Sequence, residues 1–189
     1  MFAMRLAVAA DAPAVAAMIH ARCTWLEERG LPSWRDSVDE LAAQAENPDG
    51  SMWVLEDDGG RIVGCTTVQE ETPPWGWTPE ELAEPAHYLY TTVTDPAYRA
   101  FKPGTLIAWW AVDRAAQVGK SWVRRGCFFP GLVRYYERQG FTLFHEVQRT
   151  RRRVYLMGRR AERIAGLERM FADPTDPAAA AALTAVARL

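Results

Sequence analysis

Asp95-Pro96-Ala97-Tyr98-Arg99-Ala100-Phe101-Lys102-Pro103-Gly104-Thr105-Leu106 is a polar stretch punctuated by two prolines, and what flanks it decides the fold. Upstream, His87-Tyr88-Leu89-Tyr90-Thr91-Thr92-Val93 is rich in aromatic and β-branched residues, which predicts a strand ended by Pro96. Downstream, Leu106, Ile107, Trp110, Ala111, Ala115 and Val118 recur at helical spacing, and Gly119 stands where that helix should stop. The product is strand, tight loop, helix. First-turn amides have no intrahelical partner and the helix dipole adds positive charge there, so the loop suits a phosphate-bearing ligand.

Working outward from the loop, Ser121-Trp122-Val123-Arg124-Arg125-Gly126-Cys127-Phe128 reads as the next strand, parallel to the first because a helix connects them. Leu132-Val133-Arg134-Tyr135-Tyr136-Glu137-Arg138-Gln139 then spans about two helical turns, with Gly140 as a left-handed cap. Phe141 to Val147 and Val154 to Met157 form an antiparallel pair, with Arg149 and Arg151 to Arg153 in their turn. That basic run reads as a solvated turn, with nucleic-acid contact as the alternative. On the other side, Met52 to Glu56 and Arg61 to Val68 form a hairpin around Asp57-Asp58-Gly59-Gly60. Arg5-Leu6-Ala7-Val8 is a short first strand, followed by Asp11 as helix N-cap with Pro13 in the first turn. Gly30-Leu31-Pro32 breaks that helix, and a second runs from about Ser37 and ends before Asn47-Pro48-Asp49-Gly50.

The segment Glu70 to Pro79 is too rich in Pro and Gly for regular structure and carries Trp75 and Trp77. It reads either as a lid over a ligand or as a loop packed on the sheet.

Composition fits one compact domain and sets several classes aside. The chain has 189 residues, 49% of them apolar, and a net charge of -2, which gives no general attraction to nucleic acid or acidic membranes. Cys23, Cys65 and Cys127 are odd in number and lack metal-ligand spacing, so buried free thiols are expected. No apolar run approaches the length of a membrane span and no signal-peptide pattern opens the chain, so the expectation is a cytoplasmic protein.

The loop, with Arg99 five residues before Gly104 and a helix opening at Thr105, resembles the pyrophosphate loop of the GNAT superfamily, the acetyl-CoA-dependent N-acetyltransferases. There the pattern is Gln or Arg, two residues, Gly, one residue, then Gly or Ala. Here Lys102 stands at the first Gly, and Pro103 supplies no amide proton. Tyr136-Glu137-Arg138-Gln139-Gly140-Phe141 is similar to the family's Tyr-Glu-x-x-Gly-Phe, in the right order along the chain. Phe129 occupies the position where relatives often carry Asn.

The resemblance, over residues 3 to 158, implies an α/β (α+β) GNAT fold: a mixed, mostly antiparallel sheet of six to seven strands, with helices on both faces. It also implies a splayed parallel pair of strands whose wedge takes the pantetheine arm of CoA. Residues 1–158 would be the acetyltransferase domain and 159–189 a helical extension that packs on it, mediates a homodimer or stays partly unfolded. Acetyl-CoA would be the acyl-donor cosubstrate, with the Val93 backbone on pantetheine and Arg99, Lys102, Gly104 and Thr105 on pyrophosphate. Tyr136 would be the general acid to the CoA sulfur, adjacent Tyr135 being the alternative and a core ring the bland reading. Glu70, Glu71 and His87 are candidate bases for an amine that must attack unprotonated. Trp25, Trp34 and Trp75 are candidate acceptor-pocket residues, with Arg22, Glu27 and Glu28 beside them; a core tryptophan with solvated charges is the other reading of Trp25. The implied activity is N-acetyl transfer to a small-molecule or peptide amine by direct attack, with no nucleic-acid or membrane partner. The alternative is a catalytically weak or inactive acyl-CoA-binding sensor or interaction module.

Overall fold

The structure, a computed structural model, describes residues 1–47, 49–150 and 152–171. Its strands are β1 (Phe2–Leu6), β2 (Met52–Asp57), β3 (Ile62–Gln69), β4 (Ala86–Thr94), β5 (Trp122–Cys127), β6 (Thr142–Arg149) and β7 (Arg152–Arg160). Its helices are α1 (Ala12–Glu27), α2 (Val38–Ala42), α3 (Pro79–Ala83), α4 (Pro103–Gln117) and α5 (Pro130–Glu137). The strands form one sheet in the order β1-β2-β3-β4-β5-β7-β6. It is the expected mixed, mostly antiparallel sheet, and β4 with β5 is its parallel pair. That pairing covers only Ala86 to Leu89 against Trp122 to Arg125, while β4 itself runs on to Thr94.

The chain divides into two compact units. One holds residues 1–67, 91–107 and the part from 165 onward; the other holds 68–90 and 108–164. In the first, Val15, Met18, Ile19 and Cys23 line one face of α1 and pack with Val38, Met52, Val54, Cys65 and Val93. Cys65 turns toward this cluster, whereas Gly64 turns the other way: a Cβ there would stand 2.8 Å from Ile107 of α4. Consecutive residues of β3 therefore face helices on opposite sides of the sheet, and glycine lets Ile107 approach closely on the α4 side. In the second unit, Trp77, Tyr88, Val154 and Leu156 form a buried cluster with Trp75, Leu82, Phe144 and Val147 around it.

Among the boundaries that differ from the sequence reading, several have a local reason. β1 ends at Leu6 rather than Val8, because the Asp11 carboxylate accepts from the Val8 amide at 2.8 Å and bends the chain into a 3-10 turn. The same carboxylate pairs with Arg5, so it makes no side-chain cap at the start of α1. α4 opens at Pro103 rather than Thr105, since a residue without N–H is at no disadvantage in a first helical turn. After β7 the chain makes a 3-10 turn at Leu167–Arg169 that buries Leu167, and Phe171 bridges to Phe2. The helical stretch expected beyond Asp173 lies outside the described residues. Among the described residues no helix is long and apolar enough to cross a membrane, and no cluster of His, Cys, Asp and Glu could hold a metal ion. Cys23, Cys65 and Cys127 are buried free thiols.

Candidate functional site

The loop is built into the first unit by its own side chains. Asp95 Oδ1 accepts from the Ala97 amide at 2.8 Å and caps a 3-10 turn, Pro96–Phe101, while Asp95 Oδ2 accepts from Arg61 Nη2 at 2.8 Å. The Tyr98 hydroxyl donates to Asp57 Oδ2 at 2.6 Å. The turn of the β2–β3 hairpin thus clamps the loop at two points. Lys102 closes the 3-10 turn at φ 53°, ψ 50°, in the left-handed region that glycine adopts most readily. Its carbonyl accepts from the Thr105 and Leu106 amides at 2.9 and 3.2 Å. The Gly104 amide is left with no acceptor among the described residues. Arg99 and Lys102 are both exposed beside it.

Ahead of the loop, β4 is distorted at Thr91, whose φ is 39°. A β-branched residue there is strained, by about 1–2 kcal/mol, and nothing in the sequence announces it. The Thr91 hydroxyl is buried without a partner, and its carbonyl faces the Cys65 thiol at 3.8 Å. Val93 is buried in the α1 cluster, so only its backbone is open to a ligand role.

Trp25 is half-buried on α1 with guanidinium groups about its ring: Arg29 at 4.0 Å, Arg22 at 5.1 Å and Arg99 of the loop at 5.9 Å from its centroid. The acidic residues named beside it have arginine partners. Glu27 accepts from Arg35 and Ser33, Arg35 first among the causes that hold its carboxyl down at about 2, and Glu28 pairs with Arg29. Three arginines and the Glu28 carboxylate paired with one of them thus surround Trp25. Trp34 is 40% exposed before the 3-10 turn Arg35–Ser37.

In the second unit, β5 carries two consecutive arginines that point to opposite faces and are both buried, 1% and 4% exposed. Arg124 donates to the Glu81 carbonyl at 2.6 Å and to Thr72 Oγ1 at 3.2 Å, and lies over Trp77 at 4.8 Å. Arg125 lies 3.6 Å over the ring of Tyr136 on α5 and 5.6 Å from Phe141. Its Nε is buried without a hydrogen-bond partner, and no carboxylate pairs with it among the described residues. Tyr136 is 8% exposed, and Gly140 after α5 takes the expected left-handed conformation at φ 86°. The sequence reading passed over both arginines, although adjacent arginines inside a strand were the signal: alternation must bury one on each face.

Of the candidate bases, the structure brings two together. His87 is buried, with Nε2 3.2 Å from Glu70 Oε1 but not aligned for a hydrogen bond. Lys120 Nζ sits 2.7 Å from Glu70 Oε2, which is the first reason the Glu70 carboxyl is held below its ordinary range. Burial pushes the His87 imidazole down, so it is neutral at pH 7 and offers a lone pair. Glu71 stands exposed and outside this group.

The segment from Glu70 to Pro85 is fastened to the sheet. Thr78 and Glu81 cap α3 reciprocally, and the Glu81 carboxylate also holds His145 Nε2 at 2.8 and 2.9 Å. Gly76, at φ 80°, presses so close that a Cβ would stand 2.7 Å from Leu156. Trp77 is core, 7% exposed, and Trp75 is half-buried with Arg149 stacked at 4.2 Å. Of the basic run read as a turn, Arg149 instead ends β6 and covers Trp75, and Arg152 and Arg153 open β7, one over Phe128 and the other paired with Glu146, while Arg151 is outside the described residues.

A family model described as the acetyltransferase (GNAT) family matches residues 17–141. A GNAT-family acetyltransferase from Listeria monocytogenes is 17% identical, with 84% of this chain and 94% of that chain covered and a TM-score of 0.65. N-acetylglutamate synthase from Neisseria gonorrhoeae, solved with coenzyme A and N-acetyl-glutamate, is 21% identical over 86% of this chain and 36% of its own, with a TM-score of 0.56. The ribosomal-protein-S18-alanine N-acetyltransferase from Escherichia coli is 15% identical, with 88% and 97% covered and a TM-score of 0.54. At these identities the likeness is one of fold. No curated protein sequence matches the chain.

Proposed function

This chain belongs to the GNAT acetyltransferase family, and from that premise we propose that it transfers the acetyl group of acetyl-CoA to a primary amine by direct attack. The observation that carries the reading is the Arg99–Thr105 loop. Lys102, at the position of the pattern's first Gly, takes a left-handed conformation of the kind glycine adopts most readily, and adds a cationic side chain there. The Gly104 amide, the Arg99 guanidinium, the Lys102 ammonium and the N-terminal end of α4 then present positive charge and an open donor to the pyrophosphate. Pro103 removes an amide that a first helical turn does not use.

In the reaction the amine must lose a proton before attack. His87, neutral and beside Glu70, is the group we assign to accept it through water; Lys120 keeps Glu70 anionic and a weaker base. Tyr136 donates its hydroxyl proton to the departing CoA sulfur. The acceptor is a small-molecule or peptide amine, and the place of action is the cytoplasm. Trp25, Trp34 and Trp75 are the aromatic groups assigned to its side of the site, with the arginines about Trp25 favouring an acceptor that carries a negative group as well as its amine.

Calorimetric titration with acetyl-CoA, run beside Gly104→Glu, tests this. Binding by the natural protein that the variant loses, with its fold intact by circular dichroism, is the expected result. Equal affinity in both proteins would mean the loop is misassigned. A panel of amines scored by CoA release then separates transfer from mere acyl-CoA binding.

A further inference from the structure

Arg125 is a cation placed where proteins seldom keep one. It sits within β5, 4% exposed, with its Nε sealed and unpartnered and with no carboxylate against it among the described residues. Taking a guanidinium out of water without an anion is costly, and a Met or Leu would fill a strand position of this kind without that cost. Arg124, next door, shows the ordinary solution: it spends its donors on Glu81 and Thr72. What Arg125 has instead is the face of the Tyr136 ring at 3.6 Å. Its charge also reaches Tyr88 and Cys127, which are acids rather than counter-ions and which burial keeps in their neutral forms.

We propose that Arg125 is a positioning residue for acetyl transfer: stacked on Tyr136, its fixed positive charge offsets the negative charge that develops on the tyrosine oxygen as the proton leaves for the CoA sulfur. The inference rests on the acetyl-transfer reading above. In the step concerned, the amine lone pair forms the C–N bond and the C–S bond breaks with its electron pair on sulfur. The Tyr136 hydroxyl proton goes to that sulfur. The proton shed by the amine nitrogen returns through water to the tyrosinate, so nothing is oxidised and no further reagent is consumed. A cation over an aromatic ring attracts the ring's electrons, and it attracts a tyrosinate more strongly than a tyrosine, so the stabilisation grows along the reaction coordinate. Burial makes the effect larger by keeping water from screening it.

A mutant cycle with full-length protein tests this, reading kcat, the KM for acetyl-CoA and thermal stability. Tyr136→Phe should lower kcat by about 100-fold or more, as loss of a general acid does. Arg125→Met should lower kcat by about 10-fold or more with KM for acetyl-CoA changed less than about 2-fold, Arg125→Lys should restore most of the rate, and Arg125→Met in the Tyr136→Phe background should cost almost nothing further. A silent Tyr136→Phe would remove the tyrosine from the acid role and leave the proposal without its premise. A costly Tyr136→Phe beside an Arg125→Met that keeps its kcat, or whose loss is as large in both backgrounds, overturns the proposal alone. If the methionine variant fails to fold, Arg125→Gln supplies the neutral side chain in the same cycle, and the same outcomes decide.

Discussion

Lys102 shows how a single residue can break a motif and keep its geometry. At φ 53° it bears a backbone cost that glycine would not, about 1 kcal/mol, yet its ammonium stands on the turn that faces the proposed phosphate. Lys102→Gly should therefore raise thermal stability modestly and weaken acetyl-CoA binding several-fold, with a shallower salt dependence than the natural protein, as measured by melting curves and by titration at low and high salt. An unaltered salt dependence would show that the lysine contributes conformation alone. The Arg99-to-Gly104 spacing was legible because loop geometry is local. Thr91 was not, since its φ of 39° is imposed on a sequence, Tyr90-Thr91-Thr92, that by itself favours plain extended strand. Arg125 was missed for a related reason: the run that holds it reads as a strand, and what gives the arginine meaning is a ring on α5.

At the level of elements, the sequence pattern found every strand and the helices α1, α4 and α5, and many of the misses fall at ends. Asp11 is the instructive one. Its position before Pro13 has the pattern of an N-cap, but Arg5 on β1 competes for the same carboxylate and wins, with two charge-assisted hydrogen bonds at 2.7 and 2.9 Å. The hydrogen bonds from Arg5, first among the causes, hold the Asp11 carboxyl below its ordinary value. Because the folded value is the lower one, the stabilisation is complete above about pH 4, the ordinary range of a free aspartate. It is lost as pH falls through the folded value. The melting temperature of the natural protein should exceed that of Asp11→Asn at pH 7, and the gap should close in acid. A gap that persists to pH 2 would mean the carboxylate's charge is not what joins β1 to α1.

Across the whole molecule, chain order and compactness do not coincide. β4 and α4 each give residues to both units, and the stretch from 165 onward belongs with residues 1–67. No single cut frees either unit, something no composition shift along the sequence could have disclosed. The return of the chain is fixed where Leu167, 6% exposed, is buried and where Phe171 bridges to Phe2. Leu167→Ala should lower stability by about 2 kcal/mol, read as a drop in the denaturant midpoint with an unchanged slope. An unaffected midpoint would show that the segment from 165 is an ornament rather than a closure.

The two-point clamp on the loop also bears on how this protein can be handled. Asp57-Asp58-Gly59-Gly60, a tight polar turn at the tip of a hairpin, is where a designer would graft an epitope, split the chain for a reporter or open new termini by permutation. Here that tip is a bracket: Asp57 receives Tyr98, and Arg61 on its far side grips Asp95. Any graft there would loosen, from behind, the turn proposed to hold the pyrophosphate, so fusions belong elsewhere on the chain.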